Sequence, residues 1–168
     1  ALPICTHRRS LTYTDNGSDD VWEALKDLDK GETEGSVRLI YSQTDVPAEP
    51  KGTPDTWNRE HVWPKSLGVF DSGPDFTDVH HLYPADWNVN TARSNRYFDE
   101  CGNSGAGECR PPSELAGDDQ DEDDTAMLVG SDGFQPPSVV RGDIARAILY
   151  MGIRYPYLEV TNCPDSNV

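Results

Sequence analysis

Apolar positions fall in short runs broken by glycine, proline and acidic residues, and two stretches carry a helical period. In SDDVWEALKDLDKG, Val21, Leu25 and Leu28 recur at i, i+4 and i+7. Ser18 is placed to cap, Asp19 and Asp20 suit the first turn, and Gly31 suits the stop. An amphipathic helix with a core-facing stripe is predicted there. In VVRGDIARAILYMGIRY, Ile144, Ile148 and Met151 keep the same period and predict a buried helix over about residues 142–154, with Arg141, Arg146 and Arg154 on its polar side. Runs rich in β-branched and aromatic residues predict strands at 36–42, 56–62, 79–83 and 125–130. Pro64 stops the second of these, and Pro84 sits where a helix can begin. The stretches 45–55, 65–77 and GFQPPS read as loops. The pattern is that of one α+β domain spanning residues 1–168, with flanking helices and long irregular loops.

Composition narrows this picture. The hydrophobic share is 35%, and 13 prolines with 14 glycines fit a turn-rich fold. No apolar run approaches the ~20 residues that a membrane-spanning helix needs. The chain begins at Ala1, as a mature product freed of a signal peptide would. Four cysteines without a CxxC pair read as two disulfides; of the three possible pairings the favoured one joins Cys101–Cys109 around a glycine-rich loop and Cys5–Cys163 between the termini. Oxidised cysteines imply an extracellular or periplasmic location. A zinc cage of Cys101, Cys109, His80 and His81 would match no familiar ligand spacing. The formal charge of -16 is unevenly spread. Residues 101–133 hold 1 basic and 9 acidic side chains and carry half of it. Within them the run 118–124 lacks the glycine and glutamate of an EF-hand, so it reads as a solvated acidic loop. The remaining surface can still offer a local basic face to a polyanion.

Candidate chemistry concentrates in residues 57–95, WNREHVWPKSLGVFDSGPDFTDVHHLYPADWNVNTARSN. Cleaving a phosphodiester requires an activated water, neutralised phosphate charge and help for the departing oxygen. A histidine and one hard cation supply these needs. Glu60 and the carbonyl oxygen of Asn90 suit Mg²⁺, with Mn²⁺ or Ca²⁺ as alternatives, and His61 suits the base. Neighbours on a regular strand point to opposite faces, so Glu60 and His61 can share a site only where the strand ends or bulges. On a helix, Asn90, Arg93 and Ser94 share a face, which places Arg93 towards the phosphate. Arg59 and Lys65 are the other candidate phosphate contacts, and His80 and Asn95 are candidate supports around the site.

The elements REHVWP, DVHHLYPADWNVN and ARSNRYF resemble the bacterial endonuclease I family of extracellular and periplasmic nucleases. VWEALKDLD and RGDIARAILYMGIRYP resemble that family's early and closing helices, so the likeness runs over about residues 18–157. It implies a ββα-metal nuclease core over about residues 56–98. It also implies a secreted, metal-dependent endonuclease acting on DNA, and often RNA, with little sequence preference, leaving 5′-phosphate ends. By the same resemblance His61 is the general base, and Glu60 with Asn90 holds one Mg²⁺-like ion. His81 stands where the family often has asparagine, and the 65–77 loop lacks the arginine that members use on the phosphate. The expected partner is nucleic acid, met by a monomer away from membranes. The alternative is a secreted, disulfide-stapled binding module on the same scaffold without turnover.

Overall fold

The computed structural model describes residues 10–15, 20–100, 109–112, 127–131 and 133–160. Helix α1 (Val21–Leu28) leads into a hairpin of β1 (Ser36–Arg38) and β2 (Asp45–Pro47). A second antiparallel pair follows, β3 (Trp57–His61) and β4 (Leu82–Asp86), which runs directly into α2 (Trp87–Arg93). Strands β5 (Tyr97–Phe98), β6 (Leu128–Val129) and β7 (Gly133–Gln135) form a sheet of order β5-β7-β6, and α3 (Arg141–Arg154) closes the described fold. The class is α+β, and no helix among the described residues is long and apolar enough to cross a membrane.

Helix α1 starts because Asp20 caps it: its Oδ1 accepts the Glu23 N–H at 3.0 Å and its Oδ2 the Asp15 N–H at 3.0 Å. Asp20, not Ser18, is therefore the cap, and Ser18 lies outside the described residues. Val21 and Leu25 are fully buried against Val37, Trp57 and Leu82, whereas Leu28 is 62% exposed and leaves the expected stripe. Leu28 is the last helical residue, and Asp29 caps the end with its N–H on the Leu25 carbonyl. The predicted strand 36–42 stops at Arg38, because Leu39, Ile40 and Tyr41 turn inward and bury. Asp45 then draws its segment, read as loop, into β2: it accepts Arg38 Nε at 2.8 Å and the Glu32 N–H at 2.5 Å. GFQ, also read as loop, becomes β7 by pairing on both sides.

The predicted strand 79–83 forms three residues later, and Pro84 lies inside it instead of opening the helix. Backbone bonds join Val62 N–H to His81 C=O and Trp87 N–H to Thr56 C=O, so even-numbered residues of β3 occupy the hydrogen-bonded pairs. Pro84 faces Arg59, a non-bonded pair, and its missing N–H costs the ladder nothing. The helix waits for Asp86, whose Oδ1 accepts the Asn88 and Val89 N–H groups at 2.8 and 3.0 Å.

Three apolar clusters meet around this strand–strand–helix unit. Val62, Ala85, Val89 and Ala92 pack with Tyr41, Phe134 and Ile144. Trp57 and Leu82 pack with α1, and Trp63 packs with Phe76, Met151 and Tyr155. Ile144 and Ala147 of α3 enter the first cluster and Met151 the third, as its helical period predicts. The unit is thus clamped from several sides, and the end of β3 is held where side chains of β3 and α2 converge.

Candidate active site

A polar cavity of about 230 Å³ opens at the end of β3, lined by Asn58, Arg59, Glu60 and His61 of the strand, Lys65 of the turn that follows it, and Asn90 and Arg93 of α2. Glu60 and His61 are the last two residues of β3, and both line it. Their side chains leave in different directions, Glu60 towards Tyr41 and Arg93, His61 towards Phe76.

His61 is 6% exposed and its Nε2 lies 3.1 Å from the carbonyl oxygen of Phe76. A carbonyl only accepts, so Nε2 carries the proton and Nδ1 of the neutral ring holds a lone pair. The ring stacks on Phe76 at 5.0 Å, with Tyr13 at 5.7 Å and His81 edge-on at 5.3 Å. Burial, then the neighbouring His81, Lys65 and Arg59, holds its pKa at about 3 against the Phe76 carbonyl, so the ring is neutral at physiological pH.

Glu60 is buried, with Oε1 accepting the Tyr41 hydroxyl at 2.5 Å and lying 3.1 Å from Arg93 Nη1. Burial raises its pKa, opposed by the Arg93 charge, the Tyr41 hydroxyl and the His61 N–H. Burial and the Glu60 charge push the Tyr41 hydroxyl well above its ordinary range, so it stays a donor. Asn90 donates through Nδ2 to Asn58 Oδ1 at 2.5 Å and to the Arg59 carbonyl at 3.5 Å. Its amide is thereby anchored by the nitrogen, which leaves Oδ1 as the acceptor for the cavity. Residues 5–163 match the family model of endonuclease I.

The chain belongs to the endonuclease I family.

The extracellular ribonuclease of Bacillus amyloliquefaciens is 38% identical over 159 residues, which are 92% of this chain and 49% of that protein. The extracellular ribonuclease of Bacillus subtilis (strain 168) is 37% identical over 159 residues, with the same two shares. The chain spans about half the length of the curated relatives it matches.

In this endonuclease I chain the phosphate candidates occupy three different settings. Arg93 lines the cavity on the face predicted for it but is 1% exposed, donating to the carbonyls of His61 and Val62 at 2.9 Å each. With Glu60 as its ion partner and Phe98 under its guanidinium at 4.5 Å, it holds the wall of the cavity together. Arg59 is sandwiched by Tyr13 at 3.4 Å and Trp22 at 4.0 Å, and donates to the Tyr13 carbonyl and Thr14 Oγ1. Lys65, exposed in the 3-10 turn Lys65–Leu67, also lines the cavity, with its ammonium 5.6 Å from the centre of the Phe76 ring.

His80 is not among the residues that line the cavity: it is exposed, its Nδ1 bonds Asp78 at 2.8 Å, and its ring stacks on Tyr150 at 4.3 Å. Its neighbour His81 is the inward histidine, fully buried with Nε2 2.8 Å from the Asp75 carbonyl. Two histidines facing opposite ways also defeat the zinc cage, whose Cys101 lies outside the described residues. Both expected disulfides rest on Cys5, Cys101 and Cys163, which lie there too, as does the acidic run 118–124. Asn95 lines the cavity beside Ser94. Sequence reasoning missed Tyr41, Asn58 and the Phe76 carbonyl. Asn58 was within reach, since it sits two residues before Glu60 and a strand turns i and i+2 to one face.

Proposed function

We propose that this endonuclease I chain is a secreted, divalent-metal-dependent endonuclease that hydrolyses phosphodiester bonds of RNA and DNA and leaves 5′-phosphate ends, as one monomeric domain. The observation that carries this reading is the pairing of a neutral His61, its Nδ1 lone pair fixed by the Phe76 carbonyl, with the Glu60 and Asn90 oxygens at one cavity. The names of the two Bacillus relatives favour RNA among the substrates.

One carboxylate and one carboxamide oxygen fit a hard ion such as Mg²⁺, which takes few protein ligands and keeps its waters; Mn²⁺ or Ca²⁺ fit the same donors. Among the described residues no three His, Cys, Asp or Glu side chains gather, so a softer, fully protein-ligated metal is not favoured. Bound there, the ion would neutralise phosphate charge and stabilise the departing oxygen. His61 Nδ1 takes a proton from a water, whose oxygen attacks phosphorus in line with the 3′ oxygen. The P–O3′ bond breaks, the 3′ oxygen is protonated by solvent, and the phosphate stays on the 5′ side. Arg93 and Tyr41 hold Glu60 in place, Asn58 turns Asn90, and Lys65 meets a phosphate oxygen. The disulfides Cys101–Cys109 and Cys5–Cys163 belong to this reading of a secreted chain.

Incubation with supercoiled plasmid and with single-stranded RNA, with and without chelator, tests it. Chelator-sensitive cleavage is expected, and His61→Ala should lose about 10²–10⁴-fold in rate while keeping the fold. A His61→Ala protein that cleaves at the wild-type rate would refute the base. No cleavage of either polymer with Mg²⁺, Mn²⁺ or Ca²⁺ would favour a binding module.

A further inference from the structure

A second cavity, of about 390 Å³, shares Pro64 and Arg93 with the catalytic cavity as lining residues. Its chemistry is different. Trp63, Tyr97, Phe98 and Tyr157 give it aromatic walls, and Glu159 adds a carboxylate. Phe98 and Trp63 are committed to the fold: Phe98 packs on Tyr41 and Phe134, and Trp63 Nε1 donates to the Leu67 carbonyl at 2.9 Å. Tyr97 is half-buried and Tyr157 is 53% exposed, so both keep ring surface for a ligand. The mechanism above uses neither of them, nor Glu159.

A polar cavity fit for a phosphate beside an aromatic cavity matches the two ends of a nucleotide. Resting on the nuclease reading, we propose that the aromatic cavity is a subsite for one unstacked nucleobase next to the scissile phosphodiester, with Tyr97 and Tyr157 as its stacking surfaces. Bases in a duplex are held in their own stack and cannot enter, whereas those of a single strand can be splayed onto aromatic rings. The subsite therefore favours single-stranded substrate without demanding a sequence. An ionised carboxylate only accepts hydrogen bonds, so Glu159 favours a base edge with adjacent N–H donors, which guanine presents through N1 and N2.

The test uses the whole chain in chelator, with guanosine 5′-monophosphate, uridine 5′-monophosphate and ribose 5-phosphate titrated by calorimetry. Guanosine monophosphate should bind at least about tenfold more tightly than ribose 5-phosphate. Tyr97→Ala and Tyr157→Ala should each weaken it about tenfold, and Glu159→Gln should narrow the gap between the two nucleotides. Tyr157 is exposed, so its variant tests the subsite even if Tyr97→Ala fails to fold. Equal binding of guanosine monophosphate and ribose 5-phosphate, or no loss in the Tyr157 variant, would overturn the subsite. Cleavage of single-stranded RNA at unchanged kcat/KM when the flanking nucleotide is made abasic would overturn it too, while leaving the nuclease reading intact. Base-selective binding by a protein that cleaves nothing would support the subsite and refute the nuclease.

Discussion

Two of the ion-paired regions among the described residues are built to opposite designs. At the cavity, Glu60 and Arg93 face each other at 3.1 Å with side chains 2% and 1% exposed, and Tyr41 and two backbone carbonyls share their remaining bonds. On the N-terminal layer, Lys26 meets Glu23 at 2.6 Å and Glu49 at 3.3 Å, with Lys51 beside Glu49; the glutamates are 43% and 57% exposed and the lysines are partly covered. The first network sits where charge has lost its solvent, so each member depends on the others. The second can lose any member and let water take its place.

The strongest way to break this contrast is Arg93→Ala. It strands the buried Glu60 carboxylate and frees the carbonyls of His61 and Val62, and should destabilise the fold by about 3–5 kcal/mol in denaturant titration. Arg93→Lys keeps the charge but cannot span Glu60 and two carbonyls, so it should recover only part of the loss. A loss below about 1 kcal/mol for Arg93→Ala would place the wall's stability elsewhere.

Between the two networks stands Asp29 at the end of α1, whose carboxyl burial raises to about 6 from the ordinary 3.8. The folded state therefore keeps a proton that the unfolded state releases between about pH 4 and 6. Its contribution to stability is present below pH 4 and is lost as pH rises through about 6. Asp29→Asn should then stabilise the protein at pH 7 by about 1–2 kcal/mol, discounted for its partial exposure, and do little at pH 4. Urea titrations at the two pH values check the sign. Equal effects at both would show that the carboxyl is solvated.

A cap tests the cavity side at lower stakes. Asp86→Ala removes the acceptor for Asn88 and Val89 N–H at the start of α2, and should cost about 1 kcal/mol. On the proposed metal-dependent reading α2 carries the ligand Asn90, so the same change should loosen Mg²⁺ affinity in proportion; an unchanged affinity would show that Asn58 alone orients the amide.

The site was more legible in the sequence than the depth of its parts. Periodicity placed Asn90 and Arg93 on one helical face, and the structure brings both to the cavity. It could not say that Arg93 lies beneath the surface, because a period gives direction around a helix and not distance from solvent. Pro84 looked like a helix start because proline suits N1; Asp86, with a side chain that satisfies two free N–H groups, decided the matter instead. His80 and His81 alternate in any extended reading, and which one turns inward depends on where the loop re-enters β4. The strands β2 and β7, three residues each, are held by Asp45 and by pairing on both sides, contacts that no local pattern announces.

The smallest effect belongs to the exposed pair. Lys26→Ala removes both of its contacts, yet Glu23 and Glu49 keep water, and Glu49 keeps Lys51. Hydrogen bonds from Lys51, ahead of those from Lys26, hold the Glu49 carboxyl below its ordinary range, so its better partner survives the change. The cost should be no more than about 0.5 kcal/mol in dilute buffer and should shrink at 1 M salt, where screening reaches about 3 Å. Arg93→Ala, whose ion partner Glu60 is 2% exposed, should keep most of its effect in 1 M monovalent salt. If both variants lost stability in parallel as salt rose, solvent would be entering the cavity wall, and the contrast between the two regions would fail.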